Sequence, residues 1–205
     1  MRVSFNRRTA IKVKDSRVQR KNRHKPTAHN GYVLDHESPG RGFRHVLSKR
    51  DLQAFIGIIP DWGRLSERLE RIVLSAAKDG CDAEYSFYHR EETGAIFLHA
   101  WHEDLWVELR TDYFNAHEAI LTKLGVSFDR REKDVLCRFT ESQARAFMLL
   151  HVFLHELGHH YDRSRQKHLG ATKGEQYAET FAVSRFSLLF PEYVRVFGDP
   201  VMGNG

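Results

Sequence analysis

The run AFMLLHVFL, residues 146–154, is apolar nearly all the way round a helix and is interrupted only by His151. A helix of that kind is buried on most of its sides, so the rest of the chain has to be built around it. Thr140 and Gln143 mark its start, because Thr-x-x-Gln is the capping-box pattern. The helix then continues into LHELGHHYD, residues 154–162. His155 and His159 lie one turn apart on a single face and can aim their imidazole nitrogens at one point. Glu156 projects to the side of that face. His-Glu-x-x-His on a helix therefore has the geometry of two zinc ligands with a carboxylate beside them. Gly158, between the histidines, costs about 1 kcal/mol relative to Ala in a helix, so close approach of another segment is predicted there.

A chain with 13 histidines can also acquire such a motif by chance. The third donor is decisive, because a catalytic zinc takes three protein ligands and keeps one position open. The continuation HExxHxxGxxH is excluded, since Asp162 and Arg165 occupy the later positions. Beyond a polar loop at 163–173, the stretch GEQYAETFA (174–182) carries Glu175 and Glu179, again spaced i, i+4. Either could be the ligand, and Glu175 also forms a Thr-x-x-Glu capping pattern with Thr172. Only the choice of Glu175 leaves a carboxylate one turn later to orient a ligand.

HELGHHYD and EQYAETFA together resemble the gluzincin metallopeptidases, most closely the lethal-factor-like group. The resemblance covers about 40 of the 205 residues. It implies a Zn2+ site of His155, His159 and Glu175, with Glu156 as general base. It makes Glu179 and Asp162 outer carboxylates that orient the ligands. The group's oxyanion-stabilising tyrosine has His168 in its place here, which makes His168 the candidate for that role. His151 is read as a hydrogen-bonded core histidine, His160 and Tyr161 as packing or surface residues, and His99 and His102 as structural or surface residues.

The remaining pattern predicts an α+β domain. Ser48, Asp51, Leu52, Phe55 and Ile56 predict a short helix ending before Pro60. Leu65, Leu69, Ile72, Val73 and Ala76 recur at helical spacing, with Gly80 as the stop. AEYSFYHR (83–90) and GAIFLHAW (94–101) read as a hairpin, with GAIFLHAW suited to pairing with an extended substrate. LWVEL (105–109) and VLCRF (135–139) read as further strands. A helix is expected over 112–124, and a last helix over 173–190, ended by Pro191. The expected architecture is a small sheet, comprising the hairpin 83–101 and further strands, packed on the HExxH helix and a second, glutamate-bearing helix.

Charge divides the chain. Residues 1–50 hold 14 Lys/Arg against three acidic side chains, while the other 155 hold 18 against 24. Residues 1–45 are therefore expected to be a basic, irregular extension, and 46–205 a single zincin-like domain. The extension could contact nucleic acid or another polyanion. Cys81 and Cys137 form no CxxC pair, and no apolar run reaches membrane-spanning length, so a cytoplasmic setting is expected. The functional expectation is hydrolysis of a peptide or protein substrate. The alternative is a non-proteolytic zinc protein that binds nucleic acid or regulates through its basic N-terminus.

Overall fold

A computed structural model describes residues 12–14, 17–19, 31–165 and 174–202. It divides into two units, Met1–Asn30 and Gly31–Gly205. In the first, β1 (Lys12–Lys14) pairs antiparallel with β2 (Arg17–Gln19). The second is α+β. Its elements in chain order are β3 (Val33–His36), β4 (Phe43–Arg44), α1 (Lys49–Ile58), α2 (Trp62–Leu65), β5 (Leu69–Ser75), β6 (Ala83–Tyr88), β7 (Thr93–His99), β8 (Trp101–His102) and β9 (Trp106–Arg110). There follow α3 (Thr111–Lys123), β10 (Ser127–Arg130), β11 (Asp134–Arg138), α4 (Glu141–Phe147), a π-helical segment (Met148–Phe153), α5 (Leu154–Arg165) and α6 (Glu175–Phe197). Among the described residues no helix is long and apolar enough to cross a membrane.

The main sheet has the order β3-β5-β7-β6. The first three strands are parallel, and β6 lies antiparallel on the edge. The sheet's inner strands carry the core, with Ile72, Leu74, Ile96 and Leu98 almost fully buried. Helix α5 packs on β6 and β7 from one side and on α6 from the other. The HExxH helix is thus held between a sheet and a second helix, as the sequence predicts. A smaller sheet, β10-β11-β9, and helix α3 close one side of the resulting cleft.

Several expectations are corrected. Residues 69–75 form a strand rather than a helix. LERIVLS lies between two parallel neighbours with apolar residues buried on both faces, so it shows no period-2 alternation. Residues 31–45, expected in the basic extension, instead supply β3 and β4. Arg71 on β5 is nearly fully buried and pairs with Asp35 on β3 at 2.5 Å, tying that segment to the body. GAIFLHAW contains the internal strand β7, which is paired on both sides; the edge strands of this sheet are β3 and β6. Helix α6 passes through Pro191 to Phe197, because Tyr193 is buried against Phe55 of α1 and stacks on Phe197 at 4.8 Å. Tertiary packing there outweighs the lost backbone donor.

Candidate metal centre

Thr140 and Gln143 form the predicted capping box at the head of α4. The helix then widens into the π-helical turn before resuming as α5, an arrangement that recurs at functional sites. Across from it, the N-cap of α6 is Gly174 and makes no side-chain capping bond. Glu175 is therefore the first residue of the helix, and its carboxylate reaches the histidines.

Three side chains converge. His155 Nε2 and His159 Nε2 are 3.1 Å apart. Glu175 Oε2 stands 3.2 Å from the former, and its Oε1 stands 3.3 Å from the latter. Donors bound to one tetrahedral ion at ~2.0–2.1 Å are separated by about 3.3–3.4 Å, so these spacings fit a zinc-like cation. Glu179 lies behind the ring of His155, with Oε2 3.2 Å from Nδ1. That contact holds a proton on Nδ1 and leaves Nε2 free as a donor atom. Both glutamates lie on one face of α6, Glu175 against the two Nε2 atoms and Glu179 against His155 Nδ1.

Close packing of α5 on α6 makes this reach possible. A Cβ on Gly158 would meet Ala178 Cα at 3.0 Å and Phe181 Cβ at 3.2 Å. The glycine between His155 and His159 is a point where the helices touch, as its presence in the motif predicts.

The electrostatics follow from burial and from the carboxylates. Burial pushes the Glu156 carboxyl up to about 7, with Glu175 and Glu84 adding to the rise and His155 opposing it. A carboxylate poised near neutrality is suited to accepting and returning a proton. Burial lowers His155, but Glu179, Glu156 and Glu175 outweigh it and the net shift is upward. His159 is lowered, chiefly by burial. For Glu179 burial acts upward, yet the imidazoles of His117 and His155 hold it well below the usual carboxylate range.

Among the other expected residues, Asp162 is buried one turn from His159 and acts electrostatically on its imidazole. It does not end the helix, which continues to Arg165. His168 and Thr172 fall outside the described residues. His160 faces away from the centre: its Nε2 donates to the Glu67 carbonyl at 3.0 Å, and Gly94 on β7 leaves room for its ring. Tyr161 packs on Phe181 of α6. His99 is a structural residue held by Ser75 and the Ala76 carbonyl.

The centre opens into a cleft of about 630 Å³, lined among others by Glu156, Glu175, Trp101, Trp106 and the start of β6 at Ala83. Sequence reasoning overlooked two of the cleft's residues, Tyr113 and His117. Tyr113 stacks on His117 at 4.0 Å. Desolvation, followed by the carboxylates of Asp82, Glu179 and Glu156, raises its phenol, although the residue as a whole is partly exposed along the cleft. The only sequence signal for this pair is their i, i+4 spacing on the helix expected over 112–124. Comparison with family models, curated proteins and solved structures returns no match for this chain.

Proposed function

We propose that the protein is a zinc-dependent metallopeptidase of the gluzincin type, with Zn2+ held by His155, His159 and Glu175. The observation that carries this reading is the convergence of two imidazoles and a carboxylate at 3.1–3.3 Å, with Glu156 buried beside them in an open cleft. Zinc in a three-donor site is a Lewis acid that acidifies water and polarises a carbonyl. The chain's own residues do the rest. Glu156, near neutrality, takes the proton of the attacking water and passes it to the leaving amine. Tyr113, which lines the same cleft, is assigned the donor to the carbonyl oxygen as negative charge develops there. Glu179 keeps His155 in the tautomer and orientation that a ligand needs.

An extended peptide is the substrate shape that suits this cleft. The edge strand β6 starts at the cleft with Ala83 and offers backbone groups for strand addition, with the exposed Trp106 available to side chains. A purely structural zinc site has no use for a buried carboxylate near neutrality beside its ligands, and this favours hydrolysis over the nucleic-acid-binding alternative.

The ligand assignment is tested by metal content and peptide hydrolysis in two variants. Glu179→Gln is expected to weaken zinc roughly 10–100-fold and to keep some hydrolysis. Glu175→Gln is expected to weaken zinc more and to abolish hydrolysis. Zinc-dependent hydrolysis that survives Glu175→Gln contradicts this ligand set.

A further inference from the structure

Behind the His155 ring lies a second group of the same composition. Ligand atoms of His117, His151 and Glu179 lie within 4.8 Å of one another, on α3, the π-helical turn and α6. Both imidazoles are buried, and their rings meet edge to face at 4.5 Å. His117 Nδ1 is 2.7 Å from the Tyr113 carbonyl, which can only accept. That nitrogen therefore carries the proton, and in the neutral ring Nε2 presents a bare lone pair. This Nε2 is 3.3 Å from Glu179 Oε1 but makes no hydrogen bond among the described residues. His151 Nε2 stands 3.9 Å from Glu179 Oε2, beyond hydrogen-bond reach, and its Nδ1 is also buried and unpartnered there.

Imidazole nitrogens and a carboxylate facing one another at these distances are joined either by a proton on His117, which draws Glu179 down, or by a metal ion between them. A water bridging two acceptors stands ~2.8 Å from each, which closes the angle to about 70° across a 3.3 Å gap. A cation with bonds of ~2.05 Å spans the same gap at about 107°, close to tetrahedral. His151 completes the group, its ligand atom lying within 4.8 Å of the other two, and the open cleft side leaves room for water on the ion, as five- and six-coordinate first-row divalent ions take. The cleft supplies the path, since His117, His151 and Glu179 line it together with His155 and Glu175.

We propose that His117, His151 and Glu179 bind a second divalent transition-metal ion, distinct from the one assigned to His155, His159 and Glu175. Glu179 serves both sites: Oε2 accepts from His155 Nδ1, while Oε1 faces His117. The second ion fixes the carboxylate that fixes His155. This site stands on its own donors and does not depend on the peptidase reading.

The test is a zinc titration of the full-length, metal-stripped protein, read by calorimetry and by metal content after desalting, and repeated with Co2+. The wild type is expected to hold two equivalents. His155→Ala/His159→Ala and His117→Gln/His151→Gln are each expected to hold one. The wild-type measurement needs no variant to fold, and a single equivalent there overturns the proposal. If that single ion is lost with His155→Ala/His159→Ala, the proposal fails while the peptidase reading stands. If the double variant at His117 and His151 still holds two equivalents, the second ion lies elsewhere and the proposal is overturned. A wild type binding no zinc at all removes both assignments.

Discussion

His160 sits immediately after His159, the second of the proposed ligands, yet it faces the other way. Its ring is enclosed under the sheet, in space left by Gly94, and donates to Glu67. Burial lowers its pKa to about 4 from an ordinary 6.5, so it is folded in as the neutral form. A depressed histidine leaves stability intact above the unfolded pKa. As pH falls below ~6.5 the unfolded chain takes up the proton first, and stability is lost progressively down to about pH 4. The loss attributable to this one group is about 3 kcal/mol. Urea unfolding at pH 7 and at pH 4.5 checks this: the wild type is expected to lose more stability than His160→Gln, and equal losses contradict it. The same scale shows why Glu179 was legible in part. Its spacing from Glu175 exposes it as a carboxylate one turn on, but the packing of three imidazoles around it is tertiary. His117 comes from a helix 34 residues upstream of His151, and no local pattern connects the two.

At the scale of elements, the crossing of α5 and α6 determines whether the two halves of the centre meet. Replacing Gly158 by Ala improves intrinsic helix propensity by about 1 kcal/mol. It also drives a methyl group into the Ala178 backbone and Phe181, and overpacking of this kind costs about 1–3 kcal/mol. Gly158→Ala is expected to lower the unfolding midpoint and to weaken zinc binding by moving α6 with its glutamates; a more stable variant with unchanged zinc affinity shows that the contact yields freely. Helices with clear punctuation were readable in advance. Ser48 with Asp51 and Thr140 with Gln143 both form capping boxes, and Gly125 closes α3 with φ +72°. The strand β5 was not, because Leu65, Leu69, Ile72, Val73 and Ala76 mimic a 3.6-residue period while belonging to different elements. The π-helical turn left no mark either, since an apolar run that is buried all round has no face by which to register a change of pitch.

For the molecule as a whole, metal binding and folding are coupled. The proposed ligands come from two helices, so a bound ion ties α5 to α6 and is available only to the folded chain. At zinc a hundredfold above its dissociation constant the stabilisation is about 2.7 kcal/mol. For a body of this size that raises Tm by roughly 5–10 °C, and a chelator is expected to reverse it. A Tm indifferent to zinc and to chelator contradicts a site between the helices. The basic charge of residues 1–30, 10 Lys/Arg against Asp15 alone, belongs to the other unit. Glu156 is the side chain that joins the proposed metal to the chemistry. Hydrolysis of a mixed peptide library by the zinc-loaded wild type and by zinc-loaded Glu156→Gln is the direct measurement. A zinc peptidase with Glu156 as base is expected to show cleavage by the wild type and a loss on the order of 10²–10⁴-fold in the variant, with its zinc retained. Equal cleavage by both proteins, or none by the wild type, contradicts it.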